Sequence, residues 1–75
     1  MRLEDLIGRT LGVEANVITE TTSNQTLAEW DSLAHITLVT ELEAAYGVAL
    51  STEDALAMTS VGAIRRVLAD RGVNW

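Results

Sequence analysis

The chain has 75 residues, five of them arginine and none lysine, against eleven acidic residues, for a formal net charge of −6. That length allows one small domain, and an apolar fraction of 48% is enough for a core and too much for an acidic disordered tail. The acidic balance argues against nucleic acid and anionic membranes as partners, and the absence of cysteine with a single histidine excludes disulfides, a thiolate nucleophile and a cysteine- or histidine-rich metal site.

Leu3, Leu6, Ile7, Thr10 and Leu11 recur at the spacing of one helix face, and Gly12 is a natural stop, so a first helix is expected here. No period holds from Val13 to Trp30. The polar run from Thr19 to Thr26 predicts a long loop, with Val13, Val17, Ile18, Leu27 and Trp30 as its anchors on the core. A second helix is predicted from Asp31 to Tyr46, capped by Asp31 and ended by Gly47. Ser51-Thr52-Glu53-Asp54 has the form of a capping box and opens a short third helix reaching about Ala57. Ser60 can cap a last helix from Val61 to about Arg71, with Val61, Ile64, Val67 and Leu68 inward. No strand pattern survives a count. The expectation is an all-α fold, a small four-helix bundle with a short third helix and a long loop between the first two, forming one domain over residues 1–75.

No apolar run is long enough to span a membrane, and no signal-peptide core precedes the first helix. A cytoplasmic protein is therefore expected, and, since nothing outside the Leu33 face offers a large apolar patch, a monomer. Met1, read as a start residue two positions before a helix, suggests a free-standing protein; Met58 reads as packing.

The second helix holds the candidate site. With Leu33 at zero and about 100° per residue, Ile36, Leu38, Val39, Leu42, Ala45 and Tyr46 fill one broad arc with His35 near its middle. Leu33, Ala34, Thr37, Thr40, Glu41 and Ala44 fill the other, so Leu33 lies away from the core beside Ser32. Ser32 stands in the first turn, where unpaired amides and the helix dipole favour a negative charge such as a phosphodiester. Its ordinary reading is a helix cap. A Ser32–His35 dyad lacks an acidic orienter and a strand–turn–helix elbow, so a half-buried histidine with a local hydrogen bond is expected instead. Arg65 and Arg66 read as a solvated helix face, and Trp30 as an aromatic lid on the core.

Asp31-Ser32-Leu33, opening a helix that runs Ile36, Leu38, Val39, Leu42, Glu43 and Tyr46, resembles the attachment motif of acyl carrier proteins. The likeness extends to the first helix, the loop closing on Leu27, the Tyr46-Gly47-Val48-Ala49-Leu50 segment, and Thr59-Ser60-Val61, and so covers nearly the whole chain. The resemblance implies a non-catalytic carrier with 4′-phosphopantetheine attached covalently to Ser32, acyl groups being held as thioesters on that arm. Asp31 would cap the helix, while Leu33, Thr37, Thr40 and Glu41 would meet partner enzymes. Those partners would be a phosphopantetheinyl transferase, which itself needs magnesium, then an acyl-loading ligase or transferase and downstream synthase enzymes.

The commoner fatty-acid carriers keep several carboxylates along this helix, where the present chain has Ala34, Thr37, Thr40 and Ala44 and retains Glu41 and Glu43. They also have a small residue in place of Trp30. These departures suggest a carrier dedicated to one specialised pathway, fatty-acid-like, polyketide or other. An aminoacyl or peptidyl carrier of the same fold, and a helical interaction module with no prosthetic group in which Ser32 is only a cap, remain as alternatives.

Overall fold

Glycines and capping oxygens set most of the helix bounds in this proline-free chain. The computed structural model describes residues 2–73, so the expected start residue Met1 lies outside them. Helix α1 (Leu3–Leu11) stops at Gly12 and α2 (Ser32–Tyr46) at Gly47. Both glycines take left-handed backbone angles (φ 76° and 64°), where a Cβ would be strained. Helix α3 (Thr52–Ala57) opens on a complete capping box, Ser51 Oγ accepting from the Asp54 amide while Asp54 accepts from the Ser51 amide. Helix α4 (Val61–Asp70) opens on Ser60, whose hydroxyl accepts from the Ala63 amide at 3.1 Å. The four expected helices are all present, with no strand among the described residues.

One core joins them. α1 contributes Leu3, Leu6, Ile7 and Leu11, α2 contributes Leu38 and Leu42, and α4 contributes Val61, Ile64 and Leu68. Met58 fills the turn between α3 and α4, and Ile18 and Trp30 enter from the long loop. α1 packs along α2, and α3 lies against α4.

The long loop is tied down by backbone hydrogen bonds to the start of α4. The first amides of any helix lack partners within it. Here Val61 N–H donates to the Thr22 carbonyl and Gly62 N–H to the Glu20 carbonyl, both at 2.9 Å, and Ser23 pairs with Ser60 as an isolated antiparallel bridge. The loop also contains a 3-10 turn, Ala15–Val17, that the sequence pattern does not reveal. That turn rotates Val17 outward, leaving it 54% exposed, so Ile18 and not Val17 anchors this stretch. Val13 and Leu27 pack on the core as expected.

Arg66 is exposed as expected, but Arg65 is not part of a merely solvated face. Its guanidinium donates to Glu4 Oε2 at 2.9 Å and to Glu20 Oε1 at 2.8 Å, joining α4 to α1 and to the loop. Burial raises the phenol of nearby Tyr46 above its ordinary value, opposed by the charge of Arg65.

The far end of α4 is clamped to α3. Arg71 donates from Nη2 to Asp54 Oδ1 at 2.7 Å and from Nε to Oδ2 at 2.9 Å, a two-pronged pair. These bonds, with the Ser51 amide, hold the Asp54 carboxyl below its ordinary 3.8. The folded chain thus favours the charged form, so this stability is present above the ordinary value and is lost as pH falls through the lower folded one. An Arg71→Gln chain should have a lower urea midpoint than the parent at pH 7, the gap closing as pH falls through the lowered value of the Asp54 carboxyl. A gap of the same size at pH 7 and pH 2 would rule out the charged pair as its source.

Candidate functional site

The start of α2 is fixed on both sides of Ser32. On one side, Asp31 stands in extended conformation, and its Oδ1 accepts from the Ala34 amide at 2.8 Å. The Asp31 carbonyl also takes the His35 amide at 2.9 Å. Asp31 is therefore the cap, as its place in the sequence suggested, and Ser32 is not. The Ser32 hydroxyl makes no protein hydrogen bond among the described residues, and its side chain is exposed. The Ser32 and Leu33 amides likewise meet no protein acceptor there, leaving two N–H groups at the positive end of the helix dipole.

On the other side, Trp30 is 1% exposed, so the residue before the cap is driven into the core. Its indole N–H cannot go unpaired at that depth without cost. It donates to His35 Nδ1 at 2.9 Å, with the two rings stacked at a centroid distance of 6.1 Å. Since Nδ1 accepts, the neutral ring carries its proton on Nε2, which donates to the Ala55 carbonyl of α3 at 2.7 Å. Both ring nitrogens are thus engaged away from Ser32. The half-buried histidine with a local bond, to Trp30, is what the structure shows, joined by a second, long-range bond to Ala55, and the Ser32–His35 dyad is not formed.

The outer face of α2 differs from its sequence wheel at three places. Ile36 was expected inward but is 64% exposed, because at about 300° it lies nearer to Leu33 than to the centre of the buried arc. Ala45 is exposed at the last turn, and Ala34 packs partly on the core. Leu33 projects outward at 74% exposure, as expected. Thr37 and Thr40 lie on the same outer face with their hydroxyls donating back to the Leu33 and Ile36 carbonyls, at 3.2 and 3.1 Å. Glu41 is half-buried at the edge of that face, lining a recess of about 320 Å³ with Arg9, Thr10 and Thr37. Glu43 is committed internally, its Oε2 accepting from the Leu50 amide at 2.9 Å.

Beside Ser32 runs an open groove of about 500 Å³ between α2 and α3, walled by Trp30, His35, Ile36, Leu56 and Asn24. Asn24 and Leu56 were not singled out in the sequence. Leu56 could have been, since it is a large apolar side chain in a short capped helix and is 73% exposed. Asn24 carries no signal beyond its polar loop.

The family model described as the phosphopantetheine attachment site matches residues 2–68 of this chain. The fold is similar to that in the solution NMR structure of a holo acyl carrier protein from Geobacter metallireducens, at a TM-score of 0.81 and 23% identity, covering 92% of this chain and 79% of that one. No curated protein sequence matches significantly.

If Asp31 and not Ser32 holds the helix start, Asp31→Ala should cost about 1 kcal/mol of stability. The loss should be accompanied by faster amide exchange at Ala34, and chemical denaturation with exchange at that residue would measure both.

Proposed function

The chain belongs to the phosphopantetheine-attachment family of non-catalytic carriers, which bear a 4′-phosphopantetheine prosthetic group, and from that premise we propose that Ser32 is the residue carrying the group. The observation that supports this most is the division of labour at the start of α2. Asp31 satisfies the capping requirement, so the neighbouring hydroxyl is left exposed and without a structural task. The site also fits the chemistry of a phosphodiester. Two amides that meet no protein acceptor among the described residues stand at the positive end of a fifteen-residue helix.

In bound form the group supplies a terminal thiol on which acyl cargo is held as a thioester, chemistry that a chain without cysteine cannot supply itself. The chain's own residues do the rest. Ser32 Oγ gives the ester oxygen, Asp31 holds the turn that presents it, and Trp30 locks that turn to the core.

A carrier of this kind works with a phosphopantetheinyl transferase and with enzymes that handle acyl groups. Leu33, Thr37, Thr40 and the half-buried Glu41, with Ile36 beside them, form the surface we assign to those partners. Both threonines turn their hydroxyls onto the helix, so methyl groups face outward, and Glu43 is withdrawn into a turn. Little charge remains there for a basic partner patch to grip. Apolar shape therefore governs docking in this reading, which suits a carrier serving one specialised pathway.

Incubation with coenzyme A, magnesium and the host's own transferase should add one phosphopantetheinyl group to the parent and none to Ser32→Ala, read by intact mass. The variant should keep its stability to chemical denaturation within about 0.5 kcal/mol of the parent, because Ser32 caps nothing. Equal addition to both chains would place the attachment elsewhere, and no addition to either would contradict the carrier reading for this chain.

A further inference from the structure

Among the side chains that attachment at Ser32 does not use, His35 is the one whose bonds cross between elements at the site. Its ring spans from the buried indole of Trp30 on the loop to the Ala55 carbonyl of α3, twenty residues away in sequence. The next residue, Leu56, forms the far wall of the groove whose near wall carries Ser32 and Ile36. Helix α3 has only six residues, none of them fully buried, so its packing against α4 holds it weakly. Two polar ties fix it: the Asp54–Arg71 pair at one side and the His35–Ala55 bond at the other. Met58, fully buried just after α3, anchors its end, and Leu50, packed on the core just before it, anchors its start.

We infer that His35 is a positioning residue that sets where Leu56 stands relative to Ser32, so that the indole–imidazole–carbonyl chain fixes the width of the groove beside the attachment serine. The Trp30 N–H can only donate, which forces Nδ1 to accept and Nε2 to hold the proton. Nε2 is then a donor aimed at α3, and its 2.7 Å contact orients that helix with respect to a residue locked in the core. Removing the ring, or only its Nε2 end, would let α3 and Leu56 drift while Asp31 still caps α2.

The consequence for attachment rests on the Ser32 reading; the positioning itself does not. Amide exchange would therefore be measured on the chain without its prosthetic group, for the parent, His35→Phe, His35→Gln and His35→Asn. Glutamine can place an N–H near the Nε2 position, whereas asparagine reaches only as far as Nδ1. The inference predicts exchange of the Ala55 and Met58 amides about ten-fold faster in the phenylalanine and asparagine variants, with α1 and α4 unchanged and glutamine near the parent. In the transferase reaction, the same two variants should raise KM for the carrier several-fold with kcat little altered, glutamine restoring KM. Unchanged α3 exchange, or an equal rise in every helix, would overturn the inference and leave His35 as ordinary packing. Should the phenylalanine variant fail to fold, the glutamine–asparagine pair decides the same question. Retention of the group by Ser32→Ala would refute the attachment reading while leaving the exchange result on α3 to stand or fall alone.

Discussion

Trp30 must bury a large indole and still satisfy its N–H, and much of the site follows from how that is solved. Burial of a side chain this size removes roughly 150–250 Å² from water, worth roughly 4–6 kcal/mol as an upper value. An unpaired buried donor would give back about 1–3 kcal/mol of that. His35 Nδ1 accepts the indole hydrogen bond at 2.9 Å, and the gain is kept. Trp30 is thereby locked immediately before the cap of α2, and the chain has little freedom in how it enters the helix. Asp31 then closes the first turn, and Ser32 is left at a fixed, exposed point.

The same economy of polar groups runs through the rest of the molecule. Amides at the start of α4 are satisfied by loop carbonyls, which holds down a segment with little helix of its own. Arg65 links α4 to α1 and the loop, and Arg71 links it to α3. Each exposed pair contributes modestly, but a network across three elements resists local opening better than isolated pairs do. On the outer face of α2 the polar groups are instead turned inward onto the helix, so the surface beside Ser32 is left mostly to Leu33, Ile36, Leu56 and threonine methyls.

Helix bounds were legible in the sequence because single residues encode them. Gly12 and Gly47 stop helices by taking angles that other residues resist, and Asp31, Ser51 and Ser60 start them through short-range bonds. The Asp31-Ser32-Leu33 triplet could be placed on a helix start for the same reason. What could not be read depended on partners distant in sequence. The inward pull on Arg65 comes from Glu4, 61 residues away, and the role of His35 from Ala55. Ile36 was misplaced for a different reason: a broad apolar arc on a wheel does not say where its centre is, and only packing in the folded core shows that the centre lies near Leu38 and Leu42. Val17 was misplaced because a three-residue turn has no period to detect.

The account turns on one atom, the hydroxyl oxygen of Ser32. Cleavage after glutamate releases residues 30–41, bounded by Glu29 and Glu41, a peptide in which Ser32 is the only serine. Fragmentation of this peptide from the transferase-treated protein locates the added group directly. The account predicts the phosphopantetheinyl mass on Ser32, with Thr37 and Thr40 unmodified. A modified protein whose 30–41 peptide is unchanged, or which carries the group on either threonine, would contradict it.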